Sequence, residues 1–234
     1  MKTIISSLRK LSFEINRASE ASFWAKKIKS RFGLPSQASS DIDGIHWILR
    51  ETYNILKPVS PELVKACDIS GLIFRDDMGP NLPLYPGHGY YREGVKSITL
   101  NVDIFKHPDQ PDDFFDCREY FLTRASQTLY HEMGHALDSA FGKPSLQPAW
   151  MKLSGWSEKP MPGLKRLHIK DEGAPEVIGE MYYDPKIAEF TRFYGKRNAY
   201  DDFADCFSFW VAGLKNKVPE NKAEYFAKLL KRYY

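Results

Sequence analysis

The chain predicts an α+β fold from three patterns that succeed one another along its 234 residues. Helical periodicity fills the first third, a few strand-like runs follow, and helical periodicity returns toward the carboxyl end. The length fits one domain, or one domain with a helical extension. We expect a helical region at 1–68 packed on a second region at 69–234, the two forming one unit.

The first element is the run "SEASFWAKKIKSRFG", with apolar residues at helical spacing and an end at Gly33. "SSDIDGIHWILRETYNILKP" reads as a helix that starts on Ser or Asp caps and stops before Pro58, and a short helix follows Pro61. "SGLIFRDD" is strand-like, and the Pro and Gly of "MGPNLPLYPGHGYYREG" mark a loop. In "KSITLNVDIF", Ile98, Leu100, Val102 and Ile104 alternate with Thr99, Asn101 and Asp103, the period of a half-buried strand. From about Arg118 to Phe141 a helix is expected, with Leu122, Ala125, Leu129, Met133, Ala136 and Ala140 on one face and Gly142 past its end. Residues 143–198 look irregular. "AYDDFADCFSFWVAG" is a helix ending at Gly213, and "PENKAEYFAKLLKRYY" a last amphipathic one.

Composition excludes several classes. With 43% apolar and 14% aromatic residues the chain is globular rather than disordered. A net charge of +3, with basic residues spread along the chain, is too weak to argue for nucleic acid or a membrane surface. Cys67, Cys117 and Cys206 form no CxxC pair, which suits a reducing compartment, and a thiol nucleophile has no local support. The amino terminus lacks the apolar region of a signal peptide, and no run of eighteen apolar residues exists. A cytoplasmic protein is expected.

The stretch "LYHEMGHALD" carries the chemistry. His131 and His135, four residues apart on a helix, project from the same face and can ligate one tetrahedral zinc. Glu132, one stripe over, can reach a water on the metal without binding the metal itself. HExxH arises by chance in roughly one such chain per hundred. Its place in a helical segment, with both histidines off the apolar stripe, favours the metal reading.

Zinc in hydrolases usually takes three protein ligands and leaves one position open. The extended HExxHxxGxxH pattern fails, since position 138 is Asp and position 141 Phe. A carboxylate from the helix "YDDFADCF" is the candidate: Asp201 and Asp205 lie four apart on one face. One can bind the metal while the other accepts the N–H of a ligating histidine. An Asp-rich helix start is also favoured by the helix dipole without any metal, and Asp202 competes with Asp201 because helix phase is open.

"ITLNV", "LYHEMGHALD" and "YDDFADCF" together resemble the catalytic domain of the anthrax lethal factor group, which also holds the secreted Pro-Pro endopeptidases. The resemblance covers about 96–142 and 190–212. It implies a zincin fold, with a small twisted sheet over the active-site helix and a helical lower half. It implies zinc held by His131, His135 and Asp201, with Asp205 and Asp138 matching further acidic positions of the family pattern. Glu132 would be the general base and Tyr194 the oxyanion donor, with Tyr182, Tyr183 and Tyr200 as competitors. An Asp stands where the family has Glu as metal ligand, so a closer helix or a shifted register must make up the shorter arm. The implied activity is endopeptidase, on a protein or peptide bound in extended form along an edge strand. "SITLNV" is either that edge or an interior strand. Delivery as an effector or toxin would be compatible with the resemblance.

The pairing of HExxH with "DFADCF" is also similar to the ImmA/IrrE-like intracellular regulatory peptidases. The long separation between the motifs and the lack of a DNA-binding module set the chain apart from that group. A non-catalytic zincin-shaped binding protein is the third reading, against which Glu132 speaks. His46, His88 and His168 have no partner pattern.

Overall fold

The computed structural model describes residues 2–38, 42–76, 88–106, 122–165 and 181–234. In chain order the elements are α1 (Lys2–Phe32), β1 (Ser36–Ala38), α2 (Ile45–Leu56), α3 (Pro61–Ala66), β2 (Gly71–Arg75), β3 (Gly89–Arg92), β4 (Ser97–Asn101), α4 (Asp103–Lys106), α5 (Arg124–Ala140), α6 (Pro148–Ser154), β5 (Trp156–Ser157), β6 (Tyr182–Tyr183), α7 (Ala199–Val211) and α8 (Glu220–Leu229). The chain is mixed α and β, with helices around a small mixed sheet, in agreement with α+β. No helix among the described residues is long and apolar enough to cross a membrane.

The main sheet has the order β1-β2-β4-β3, with β1, β2 and β4 parallel and β3 antiparallel to β4. β1 comes from the region expected to be purely helical. The boundary at 68/69 therefore falls between two paired strands, and one apolar cluster runs from Ile28 on α1 to Leu230 after α8.

Two expectations need correction. β4 lies between β2 and β3 and is buried along its whole length, so it is an interior strand rather than half-buried or an edge. Its Thr99 and Asn101 look solvent-facing in the sequence but are covered in the fold. Among the described residues the sheet ends in β1 on one side and β3 on the other, β3 being drawn from the Gly- and Pro-rich run expected to be a loop; residues 77–87 of that run lie outside the described residues.

Helix ends follow local chemistry. Gly33, Gly142 and Gly213 carry left-handed φ values after α1, α5 and α7, where a side chain would be strained. Ser60 caps α3 by accepting from Leu63 N, and Pro61 takes its first turn. The expected Ser or Asp cap on α2 is absent, and Gly44 stands there without a side-chain bond. α5 starts at Arg124, capped by Thr123, while 107–121, including the expected first residues of that helix, lie outside the described residues. The segment expected to be irregular contains α6, whose Trp150 is fully buried against Phe203 and Phe226.

The largest helix contact is that of α5 with α7. Gly134 sits against Ala204, and Gln127 Nε2 donates to Ser208 Oγ at 2.9 Å across the same seam. Behind α7, Asp202 turns away from α5. Its carboxylate accepts from Lys222 Nζ at 2.7 Å on both oxygens and from Trp156 Nε1 at 3.0 Å, pinning α7 to α8 and β5. Both members of this ion pair are buried. Removing one leaves the other charge without compensation. Lys222→Met is expected to destabilise the protein by about 3–5 kcal/mol in denaturant unfolding, and adding Asp202→Leu to recover most of that loss.

Candidate metal centre

α5 carries the first part of the site and buries nearly its whole circumference between the sheet and α7. The histidines, off the apolar stripe in the sequence, are nonetheless covered: His131 is buried and His135 half-buried. What they face is the amino-terminal turn of α7. His131 Nε2 and His135 Nε2 are 3.1 Å apart, and Asp201 Oδ1 lies 3.6 Å from the first and 3.3 Å from the second.

That triangle is meaningful as geometry. A tetrahedral ion with ligand bonds of about 2.0–2.1 Å needs ligand-to-ligand edges of about 3.3–3.4 Å. The three edges here bracket that length. His131, His135 and Asp201 are the metal-competent cluster found among the described residues. Between Asp201 and Asp202, it is Asp201 that meets the histidines.

Local chemistry aims Asp201. Asn198 caps α7, its Oδ1 accepting from Asp201 N at 2.8 Å. The same amide turns its Nδ2 to Asp201 Oδ2, also at 2.8 Å, which leaves Oδ1 for the histidines. An Asn followed three residues later by an acidic side chain ahead of an apolar helix is a capping pattern visible in the sequence, though its use in holding a ligand is not.

Asp205, one turn further on, reaches the back of His131. His131 Nδ1 donates to Asp205 Oδ1 at 2.8 Å, which fixes the ring and directs Nε2 into the triangle. Arg192 closes the chain of charges, donating from Nε at 3.1 Å and from Nη2 to the same oxygen. Nothing in the sequence singled out Arg192. It lies in a stretch without periodicity, and only the 3₁₀ turn Phe193–Lys196 folds it back against α7.

These contacts set the protonation states. Burial works against a charge on Asp201, but hydrogen bonds and charge from both histidines outweigh it and hold the carboxyl well below the usual range. Asp205 is lowered as well: burial opposes its charge, and Arg192 and His131 prevail. Burial likewise disfavours an imidazolium at His131, yet the bonds to Asp201 and Asp205 lift its pKa to about 9.

Glu132 is buried beside the triangle, and its charge acts on both His131 and Tyr194. Among the described residues its carboxylate has no hydrogen-bond or ion-pair partner. The Tyr194 ring stands edge-on to His131 at 5.3 Å, and its hydroxyl accepts from Arg197 Nη1. Burial, then the nearby Asp201 carboxylate, pushes the phenol pKa up, so it keeps its proton.

The other tyrosines sit elsewhere. Tyr183 packs on Trp156 and Phe190, its neighbour Tyr182 shares β6, and Tyr200 is half-exposed among the charges of Lys143 and Asp138. Asp138 is buried near enough to His135 for the two charges to interact, while its hydrogen bonds go to the turn beyond the helix. Its two oxygens accept from Ser145 N at 2.8 Å and Ser145 Oγ at 2.7 Å, bracing the turn after α5. Of the remaining histidines, His46 is half-buried on α2, His88 precedes β3, and His107 and His168 lie outside the described residues. Cys67 and Cys206 are buried thiols; Cys117 is outside the described residues.

Compared with known proteins, the chain matches no family model, no curated protein and no solved structure.

The raised pKa of His131 has a measurable consequence. Its stabilising proton is fully present below the unfolded value of 6.5 and is lost as pH rises through about 9. Chelator-treated protein should lose stability across that window, by about 3 kcal/mol at most. Asp205→Asn should flatten the dependence, as read by denaturant titration at successive pH values.

Proposed function

We propose that this chain is a zinc-dependent endopeptidase with a zincin-like fold, of the kind its motifs resemble in the anthrax lethal factor group. The observation that carries the reading is the meeting of His131, His135 and Asp201 with the edge lengths of a tetrahedral ion, Glu132 lying alongside.

Bound zinc supplies a Lewis acid and lowers the pKa of water to about 7. Glu132 takes the proton of the attacking water and passes it to the leaving amine. Its place argues for this use. Metal binding needs only the three ligands and gives no reason to keep a further carboxylate beside them. Tyr194, holding its proton, donates to the developing oxyanion. Asp205 and Arg192 keep His131 in the tautomer whose Nε2 is free to bind metal.

β3 replaces β4 as the strand that pairs with an extended peptide, since it is the sheet's terminal strand next to α5. Gly89 on β3 comes so close to Thr128 of α5 that a Cβ there would meet the threonine methyl at 2.8 Å. This lays β3 against the helix that bears the histidines. Main-chain hydrogen bonds along β3 would hold the substrate, and pockets beside it would read the side chains.

Glu132→Gln separates chemistry from metal uptake. With a diverse peptide library as substrate, the variant is expected to bind zinc one-to-one like the parent and to cut about 10²–10⁴-fold more slowly. Parent protein that carries stoichiometric zinc yet cuts nothing, and that the Gln substitution leaves unchanged, would make this a binding module instead.

A further inference from the structure

The reach of an aspartate is short for a ligand that must cross between two helices, and the structure points to what makes it sufficient. At Gly134, a Cβ would fall 2.7 Å from Ala204 Cα, 3.1 Å from Ala204 Cβ and 3.1 Å from the Ala204 carbonyl oxygen. Ordinary contact for such an atom begins at 3.4 Å. The nearest obstacle is backbone, which cannot swing aside as a flexible side chain would. Gly134 is not needed for its backbone freedom, since it lies in mid-helix without a positive φ. It is needed for its missing side chain.

Gly134 lies one residue before His135, and Ala204 lies one turn after Asp201. The close contact of the two helices therefore lies within one residue of His135 on one side and one turn of Asp201 on the other. We infer that Gly134 is a positioning residue that sets the length of the carboxylate arm at position 201: with Gly, α5 and α7 lie close enough for Asp, and with any larger residue the site requires Glu. This rests on the zinc reading of the site. An added Cβ must part the helices by about 0.7 Å to reach ordinary contact, while one more methylene lengthens the arm by roughly 1.3 Å. The two changes are of the same order and opposite sense, the longer arm more than covering the added gap, so one should offset the other.

The test is a four-protein cycle of parent, Gly134→Ala, Asp201→Glu and the double variant. Zinc affinity is read by competition with a chromophoric chelator, and folding by circular dichroism and thermal midpoint. Each single substitution should weaken zinc binding about 10-fold or more, and the double variant should return to within a few-fold of the parent. Gly134→Ala costs no charge and no ligand, so a merely structural role would not be repaired by a longer acid at position 201. If Gly134→Ala does not yield folded protein, Ala204→Val applies the same pressure from α7 and should show the same rescue. Losses that add in the double variant, or single variants that bind zinc like the parent, overturn the inference alone. A parent protein that takes up no zinc overturns the reading of the site along with it.

Discussion

The seam between α5 and α7 is the constraint on which the site rests. Two ligand atoms come from one helix and one from the other, 66 residues apart in sequence. A triangle of candidate ligand atoms with edges of 3.1, 3.3 and 3.6 Å tolerates little drift between those helices. The seam is held where side chains are smallest, at Gly134 and Ala204, and is fastened from behind by Lys222 on Asp202. Adjacent aspartates on α7 thus have opposite duties. Asp201 faces the histidines, while Asp202 faces the core and keeps the helix from turning.

Charge is arranged around the same seam. His131 lies between Asp201 and Asp205, and Arg192 compensates Asp205 from the far side. Carboxylates this deeply buried persist only when paired. Each added partner also fixes a ring or an oxygen in place: Asp205 orients His131, Asn198 orients Asp201, and Arg192 orients Asp205. Compensation and positioning are here the same set of bonds.

Much of this was legible in the sequence where the signal was local. HExxH fixes two side chains on one helical face by spacing alone, and Asp201 and Asp205 follow from the same four-residue rule on a second helix. Choosing Asp201 over Asp202 was not legible, since it depends on the phase of α7, which Lys222 and Asn198 decide from outside the motif. Arg192 was invisible because its role comes from a turn between elements and has no period. β3 was hidden by the Gly and Pro around it, and by being four residues long, too short for alternation to register. β4 looked half-buried because Thr99 and Asn101 are polar, yet both faces of the strand are covered in the fold, and polar side chains on a covered face leave no trace in the alternation. Asp138 fitted a family pattern by position, but the turn after α5 claims its carboxylate first.

The central claim is that three side chains from α5 and α7 surround one ion. X-ray absorption at the zinc edge, on protein loaded with one equivalent of zinc, tests it most directly. The account predicts a four-coordinate shell of nitrogen and oxygen at about 2.0–2.1 Å with the outer scattering of two imidazoles. Asp201→Ala should alter that shell, and His131→Ala should remove one ring from it. A sulfur neighbour at about 2.3 Å, or a spectrum unchanged by either substitution, would mean that zinc binds elsewhere.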